Sequence, residues 1–271
     1  MNVQDERRLD LPLRPSLRAL ARRLVGATRT PTYYLPWLTR PGLECVLVLH
    51  NVEARFKPGY NHGPFDLSLV QHDANGRVAR RYTARLPTST DAVELTLEPA
   101  AGGCGFVTVA GERLHSDLMV ALTDGHDYSA THGRGEFVER YPVWTRALWA
   151  VAGGLLARIG RTVPAFGRDQ YVYLGPDSRS HVLLMNLSNV TNLVRVRAFD
   201  GSVERGGELV RLPPMGSALL DVARLEDGAG SPADGMRVRR LRLEGNAWFN
   251  LYLVGAGPRD LAGPLSLMHV K

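Results

Sequence analysis

The chain of 271 residues is poor in cysteine and lysine, with two of each. Its first residues, MNVQDERRLDLP, are charged and contain no apolar segment of the kind that forms a secretory signal. Proteins kept in a reducing compartment rarely form disulfides. We therefore expect Cys45 and Cys104 to be reduced thiols and the protein to be cytoplasmic.

Several kinds of segment are missing altogether. No run of about 18 apolar residues occurs, so the sequence predicts no transmembrane helix. The sequence also has no GxGxxG after a strand, no GxxxxGK[ST], no GxSxG and no CxxC. These absences exclude the usual signatures of dinucleotide-binding proteins, P-loop proteins, α/β-hydrolases and thioredoxin-like proteins.

The net charge of +6 is concentrated in two segments. Residues 1–30 carry +4, and residues 143–168 carry +4 without any acidic residue, so the rest of the chain carries −2. A nucleic-acid-binding domain normally has its basic residues clustered on one face or along a stripe of the domain itself. The charge distribution therefore predicts that nucleic acid is not a partner.

Two parts of the chain resemble each other. YYLPWLTRPGLECVLVLHN (33–51) returns as YVYLGPDSRSHVLLMNLSN (171–189), and LSLVQHDANGRVARRYTARLP (67–87) returns as VRVRAFDGSVERGGELVRLPP (194–214). Later matches keep the same order and pair residues 89–97 with 216–225, 105–111 with 238–245 and 118–125 with 248–255. The matched segments are about 130 residues apart, as from Gly125 to Gly255. The repeats of solenoid proteins are much shorter. The pattern therefore indicates two duplicated domains.

Both copies alternate apolar and polar residues, as in VRVRA at 194–198. Period-two alternation is typical of half-buried antiparallel strands, and Asn75-Gly76 and Asp200-Gly201 are typical hairpin turns. The sequence therefore predicts an all-β fold with flanking helices. It consists of two tandem duplicated antiparallel β-sandwich domains, jelly-roll-like, over residues 31–142 and 169–271.

Two segments outside the copies have helical patterns. RPSLRALARRLVGATR (14–29) predicts a basic amphipathic helix within residues 1–30. VWTRALWAVAGGLLARIGR (143–161) predicts a helix in a linker over 143–168, with a kink at Gly153-Gly154. One interpretation is that both helices pack on the sandwiches and join them. The other is that they form an Arg-rimmed surface that makes peripheral contact with an anionic membrane or an acidic partner.

Six of the eight histidines lie in or beside the first copy, which suggests that this copy acquired a task. His115 and Asp117 have the His-x-Asp spacing of an iron facial triad, and on a strand they would face the same side. His126 is the expected third ligand, with His132 and His62 as alternatives. A metal-dependent enzyme using Fe or Zn to activate water or oxygen is therefore one hypothesis, and an ordinary surface strand is the other.

Two loops of the first copy favour a different function. The loop NVEARFKPGYNHGPF (51–65) is about a dozen residues longer than its counterpart, and TDGHDYSATHGRGEF (123–137) is rich in polar side chains. Long loops above a rigid sandwich often carry binding sites, although loops that cover a sheet edge or face solvent have the same composition. The preferred hypothesis is a non-catalytic binding or assembly protein, without a cofactor, that recognises a saccharide-like polar molecule or a protein partner. We expect the ligand to contact Lys57, Tyr60, Asn61, His62, Phe65, Asp124, His126 and His132.

Overall fold

The computed structural model of the chain describes residues 26–50, 59, 63–88, 91–111, 118–175, 178–225, 237–257 and 266–269. These residues form antiparallel strands, one α-helix and one short 3-10 helix, Val222–Leu225. The first half contains β1 (Thr28–Leu38), β2 (Glu44–His50), β3 (Phe65–His72), β4 (Val78–Leu86), β5 (Ala92–Thr96), β6 (Cys104–Gly111), β7 (Met119–Thr123), β8 (Tyr128–His132) and β9 (Arg134–Arg140). Helix α1 (Val143–Arg158) is followed by β10 (Phe166–Leu174), β11 (Arg179–Met185), β12 (Asn192–Asp200), β13 (Val203–Leu212), β14 (Ser217–Asp221), β15 (Arg237–Gly245), β16 (Asn250–Ala256) and β17 (Ser266–His269).

The strands alternate between buried and accessible side chains as the sequence pattern predicted. On β12, Val194 and Val196 are fully buried, whereas Arg195 and Arg197 are partly accessible. Successive side chains of a strand point to opposite faces of the sheet, so this pattern places one face of β12 in a core. The all-β prediction is confirmed.

Four antiparallel sheets contain these strands, and the two halves have the same strand order. Sheet 1 has the order β4-β3-β6-β1-β9, and sheet 2 has the order β5-β2-β7-β8. In the second half, sheet 3 is β14-β11-β16-β17 and sheet 4 is β13-β12-β15-β10. Each strand of the second half therefore occupies the place of its counterpart in the first half, and β9 is an additional strand beside β1. The segments that match in sequence fall on these equivalent strands.

The central strands of sheets 1 and 3 are buried on both faces along much of their length. Tyr34 and Leu35 follow one another on β1 and are both fully buried, as are Leu183 and Leu184 on β11. Leu184 belongs to the core between sheets 3 and 4, whereas Leu183 belongs to a core that also contains Tyr34 and residues of sheets 1 and 2. The four sheets are therefore stacked in the order 2, 1, 3, 4, with apolar side chains between each neighbouring pair.

Backbone contacts tie the halves together around this shared core. Ser217 N donates a hydrogen bond to Ala74 O at 3.1 Å, which joins the end of β3 to the start of β14. At the sheet edges, Leu267 N on β17 donates to Ser129 Oγ on β8 at 2.8 Å. Burying a leucine side chain stabilises a fold by about 1.5–3 kcal/mol, so the shared apolar core, held in register by these bonds, makes the halves one packed unit.

The N-terminal boundary drawn from the sequence needs correction. The structure assigns Thr28 and Arg29, the last residues expected in the helix over 14–29, to β1; residues 14–25 lie outside the described part. Arg29 is held in the sheet because its Nε and Nη2 donate to Glu139 Oε1 at 3.1 and 2.8 Å. Strand pairing with β9 thus overrides the local helical pattern. The expected boundary at 168/169 also falls inside a strand, since β10 begins at Phe166.

Candidate functional site

The structure gives only a partial view of the loop at 51–65. Lys57, Tyr60, Asn61 and His62 lie outside the described residues. Phe65 is described, but it is the first residue of β3 and its side chain is fully buried in the core of sheets 1 and 2. Its ring therefore does not face solvent as a loop residue would, and the ligand contact expected for it does not fit this position.

The second loop forms a tight hairpin between β7 and β8. Asp124 Oδ1 accepts hydrogen bonds from the backbone N–H groups of His126 at 2.9 Å and Asp127 at 2.7 Å. A short acidic side chain that binds the backbone two or three residues on is a common turn-forming device. Asp124 therefore has a structural role in the turn.

The two histidines of this hairpin do not come together. His126 lies in the turn before β8, and His132 is the last residue of that strand. A strand rises by about 3.3 Å per residue, so roughly 15–20 Å of chain separate them. His132 Nδ1–H donates to Gly133 O at 2.9 Å, and His132 O accepts from Tyr252 Oη at 3.2 Å. His132 is thus part of the contact between the halves.

The expected metal ligands are also only partly visible. His115 and Asp117 lie outside the described residues, and His126 is exposed at the tip of the β7–β8 hairpin. Among the residues that the structure describes, no group of three or more His, Cys, Asp or Glu side chains could hold a metal ion. The Fe or Zn site therefore stays a prediction.

Both cysteines are free thiols inside the core. Burial raises the pKa of Cys45 to about 12 and also raises the pKa of Cys104. The thiolate is the reactive form of cysteine. These side chains are therefore protonated at neutral pH and have no features of a catalytic nucleophile.

Helix α1 has an exposed apolar surface, and residues next to it in the sequence set where it begins and ends. Pro142 precedes the first turn, where a missing backbone N–H costs no hydrogen bond. At the other end Gly160, with φ of +63°, donates to Ala157 O, and Arg161 N donates to Leu156 O. This pair of bonds is a Schellman motif. The helix runs from Val143 to Arg158 without a break at Gly153-Gly154.

One side of α1 packs on the protein. Thr145 is buried, and Trp149 packs against a small apolar cluster of Tyr141, Val190 and Ala247. The adjoining loop is anchored by Asn189, whose Oδ1 accepts from Tyr141 N at 2.7 Å and whose Nδ2 donates to Tyr141 O at 3.1 Å. These contacts fix the rotation of the helix about its axis.

A neighbouring side of α1, roughly a third of a turn from Thr145 and Trp149, is apolar and exposed. Its residues are spaced by three or four along the chain, which places them in one row on a helix. Their exposed fractions are 53% for Trp144, 58% for Leu148, 67% for Val151, 60% for Leu155 and 64% for Ile159. We refer to these five residues as the apolar stripe. Contiguous exposed apolar surface of this kind usually marks an interaction site.

The surroundings of the apolar stripe are basic. Arg158 lies beside the stripe and Arg161 just beyond its C-terminal end, whereas Arg146 projects from the far side of the helix. All three are exposed, and the sequence from 143 to 168 contains no acidic residue. Within the described residues, no helix is long and apolar enough to cross a membrane. The helix is about 24 Å long at 1.5 Å per residue. This length lets the apolar stripe lie along a flat apolar surface whose boundary is negatively charged.

The sequence pattern predicted this helix but not the direction of its faces. With few charges in the helix, its periodicity did not show which side packs inward. The orientation of the helix is decided by two contacts. Trp149 packs against the cluster that contains Tyr141, and Thr162 Oγ1 donates to Leu193 O at 2.6 Å. No protein-family model and no curated protein matches the chain.

Proposed function

We propose that this chain is a non-catalytic binding or assembly protein that docks on an anionic membrane surface through α1. The observation that carries the proposal is the apolar stripe, whose five side chains are each more than half exposed. Interfacial helices bury one apolar face, commonly with Trp and Leu, at the boundary between headgroups and acyl chains. Basic residues beside that face attract anionic lipid.

The charge around α1 favours a membrane over two other occupants. Residues 1–30 carry a net +4, as does the segment 143–168, so the N-terminal segment has no electrostatic attraction to α1. In a dimer paired through the stripe, each copy would bring Arg158 and Arg161 to the contact and no acidic residue from 143–168. Like charges at close range are unfavourable. An anionic surface complements the same arginines.

The fold suits a docking scaffold. The stacked sheets form one packed unit on which α1 is held by Trp149 and Thr145. A helix fixed in this way needs no ordering on binding, which lowers the entropic cost of association. We also infer that the two halves arose by duplication, because their strand orders are the same; the jelly-roll-like arrangement and the helical linker are part of this proposal.

Recognition of a saccharide or a protein partner by the first-copy loops remains a prediction. Most of its residues lie outside the described part of the chain. Its test is the thermal shift of the protein on adding sugars, which should disappear in Tyr60→Ala.

Vesicle flotation tests the docking proposal. We expect the protein to float with vesicles containing about 30 mol % phosphatidylglycerol at low salt and to remain behind with pure phosphatidylcholine, because both apolar insertion and charge contribute. The double variant Leu148→Ser, Leu155→Ser should bind at least about tenfold more weakly, since each leucine transferred from water contributes about 1.5–3 kcal/mol.

Val203→Ser is the matched control, because Val203 is 54% exposed on β13, away from α1. It should bind like the wild type. Equal flotation of the wild type and the double variant would contradict the proposal. So would a wild-type dimer in solution that the double variant converts to a monomer, because the apolar stripe would then be a contact between copies.

A further inference from the structure

An open cleft lies directly beyond the C-terminal end of α1. It has a volume of about 300 Å3, and its lining residues are Arg161, Thr162, Pro164, Arg195, Arg197 and Glu244. The loop after the helix forms one wall, and strands β12 and β15 form the other. Arg195 Nη1 donates to Gly160 O at 2.5 Å. This bond ties the loop to β12 and sets the width of the cleft.

The charge inside the cleft is positive. Glu244 is the one acidic residue of the lining, and its carboxylate accepts from Arg197 Nη2 at 2.9 Å and from Arg242 Nε at 3.0 Å. Arg197 Nη1 also lies 3.6 Å from Glu204 Oε2, so Arg197 and Arg242 together balance these two carboxylates. The net positive charge of the cleft comes from Arg161 and Arg195. A guanidinium carries five N–H donors, and the contacts above use only some of them.

Planar guanidinium groups bind phosphate oxygens in pairs, with a geometry that lysine does not reproduce. A terminal phosphate presents three oxygens to such groups, whereas a phosphate esterified to a bulky head alcohol is partly shielded. The cleft is open to solvent on one side and so can receive a phosphate that is attached to a larger body.

The position of the cleft matches the level of lipid headgroups. Ile159, the last residue of the apolar stripe, precedes Arg161 by two positions, so their Cα atoms lie within about 7.6 Å. An interfacial helix sits at the boundary between acyl chains and headgroups. A cleft beside its end would then face the phosphate layer.

We propose that this cleft holds the terminal phosphate of an anionic phospholipid such as phosphatidic acid. The inference rests on the membrane docking proposed above and adds a headgroup preference to it. Arg161, Arg195 and Arg197 supply the donors, and the apolar stripe supplies the general attachment.

Flotation on two kinds of vesicle tests the inference. At matched surface charge, we expect the wild type to bind phosphatidic acid vesicles about fivefold more tightly than phosphatidylserine vesicles. Arg161→Gln and Arg197→Lys should lose most of this preference while still binding phosphatidylglycerol vesicles through α1. Arg211→Gln, which changes an exposed arginine on neighbouring β13, should keep it. Thermal melting of each variant checks that the fold is intact.

The outcomes separate the two proposals. If the wild type shows no preference, or if Arg161→Gln and Arg197→Lys both keep it, the phosphate site is wrong and docking through α1 stands. If the wild type binds none of the vesicles, both proposals fail. If inorganic phosphate shifts the backbone amide resonances of residues 159–164 in the wild type but not in Arg161→Gln, and vesicles are not bound, the cleft holds free phosphate and the lipid assignment is overturned.

Discussion

The ring of Tyr34 on β1 meets the ring of Tyr252 on β16 edge-on, with centroids 6.3 Å apart and ring planes at 83°. Both side chains are fully buried, and they come from different halves of the chain. Edge-to-face aromatic pairs of this kind contribute about 0.5–1.5 kcal/mol beyond the burial of their surface. The pair therefore lies at the centre of the contact that joins sheets 1 and 3.

Removal of this contact should destabilise the whole protein. We expect Tyr252→Ala to lower the free energy of unfolding by about 3–5 kcal/mol, the usual cost of truncating a buried aromatic ring to alanine. Urea unfolding should give coincident transitions by tryptophan fluorescence and far-UV circular dichroism in the wild type, because the two halves share a core. Tyr173→Ala, a change on an exposed edge-strand ring, should stay within about 0.5 kcal/mol of the wild type. Two separated wild-type transitions would contradict the shared core.

The protein should lose stability at alkaline pH. Burial raises the pKa of Tyr34 above that of a free phenol. A folded-state pKa above the unfolded value of about 10 means that the stabilising effect of the neutral phenol is complete below about pH 10 and is lost as the pH rises further. Urea midpoints measured from pH 8 upward should therefore stay level to about pH 10 and fall above it.

The variant Tyr34→Phe isolates this effect. Tyr34 Oη is buried and has no hydrogen-bond partner among the described residues, so we expect the variant to be at least as stable as the wild type at pH 7. Its urea midpoint should fall less steeply above pH 10. Tyr171→Phe is the control, because Tyr171 is exposed and its change should leave the alkaline slope unaltered. An unchanged slope in Tyr34→Phe would show that Tyr34 is not responsible.

Two equivalent turns should respond differently to the same substitution. Gly76 and Gly201 follow β3 and β12 and have φ of +77° and +58°. A Cβ on Gly76 would lie 1.8 Å from Pro214 O, whereas a Cβ on Gly201 would have no atom within 4 Å. We expect Gly201→Ala to cost about 1–2 kcal/mol for the left-handed backbone alone. Gly76→Ala should cost about 1–3 kcal/mol more, because Pro214 must move. Equal urea midpoints for the two variants would contradict the close approach of the halves.

Glu139 should be important for stability although it belongs to neither proposed site. Its side chain is 5% exposed, its Oε1 accepts from Arg29 and its Oε2 accepts from Tyr141 Oη at 2.7 Å. Glu139→Gln should lower the free energy of unfolding by about 1–3 kcal/mol, because it weakens charge-assisted bonds inside the protein. Glu208→Gln, on an exposed position of β13, should change it by less than about 0.5 kcal/mol. An equally small effect of Glu139→Gln in denaturant titrations would contradict this view.

The thiols should be inert until the protein unfolds. Cys45 has no exposed surface, and burial raises its pKa to about 12. At pH 8 we expect a thiol-specific reagent to label neither cysteine of the folded protein, whereas protein denatured without reductant should gain two labels by mass spectrometry. Rapid labelling of folded protein at Cys45 would contradict its burial, and missing labels after denaturation would indicate a disulfide.

Much of the fold was predictable because local chemistry specified it. Alternation such as VRVRA at 194–198 and turns such as Asp200-Gly201 depend on neighbours along the chain, and they fall on β12 and the β12–β13 turn. The N-terminal boundary was not predictable in this way. Arg29 follows a helical pattern in sequence, but the distant Glu139 holds it in a sheet.

The candidate site was much less accessible from the sequence. Phe65 closes a polar, glycine-containing loop in the sequence, yet its side chain lies in the core because β3 begins at this residue. His126 and His132 are close in sequence, but His126 lies in the turn before β8 and His132 is the last residue of that strand. Residue types in a loop describe what chemistry is available, whereas the convergence of side chains depends on the path of the backbone.

The sequence by itself determined the period-two strands, their hairpin turns, the two resembling halves and a helix between them, because each depends on residues a few positions apart or on direct comparison of segments. Only the tertiary structure decided that sheets 1 and 3 pack on each other through Tyr34 and Tyr252 and that α1 turns Trp144, Leu148 and Leu155 outward. Both outcomes arise from contacts between residues distant in the chain, where packing of a shared apolar core outweighs local preference.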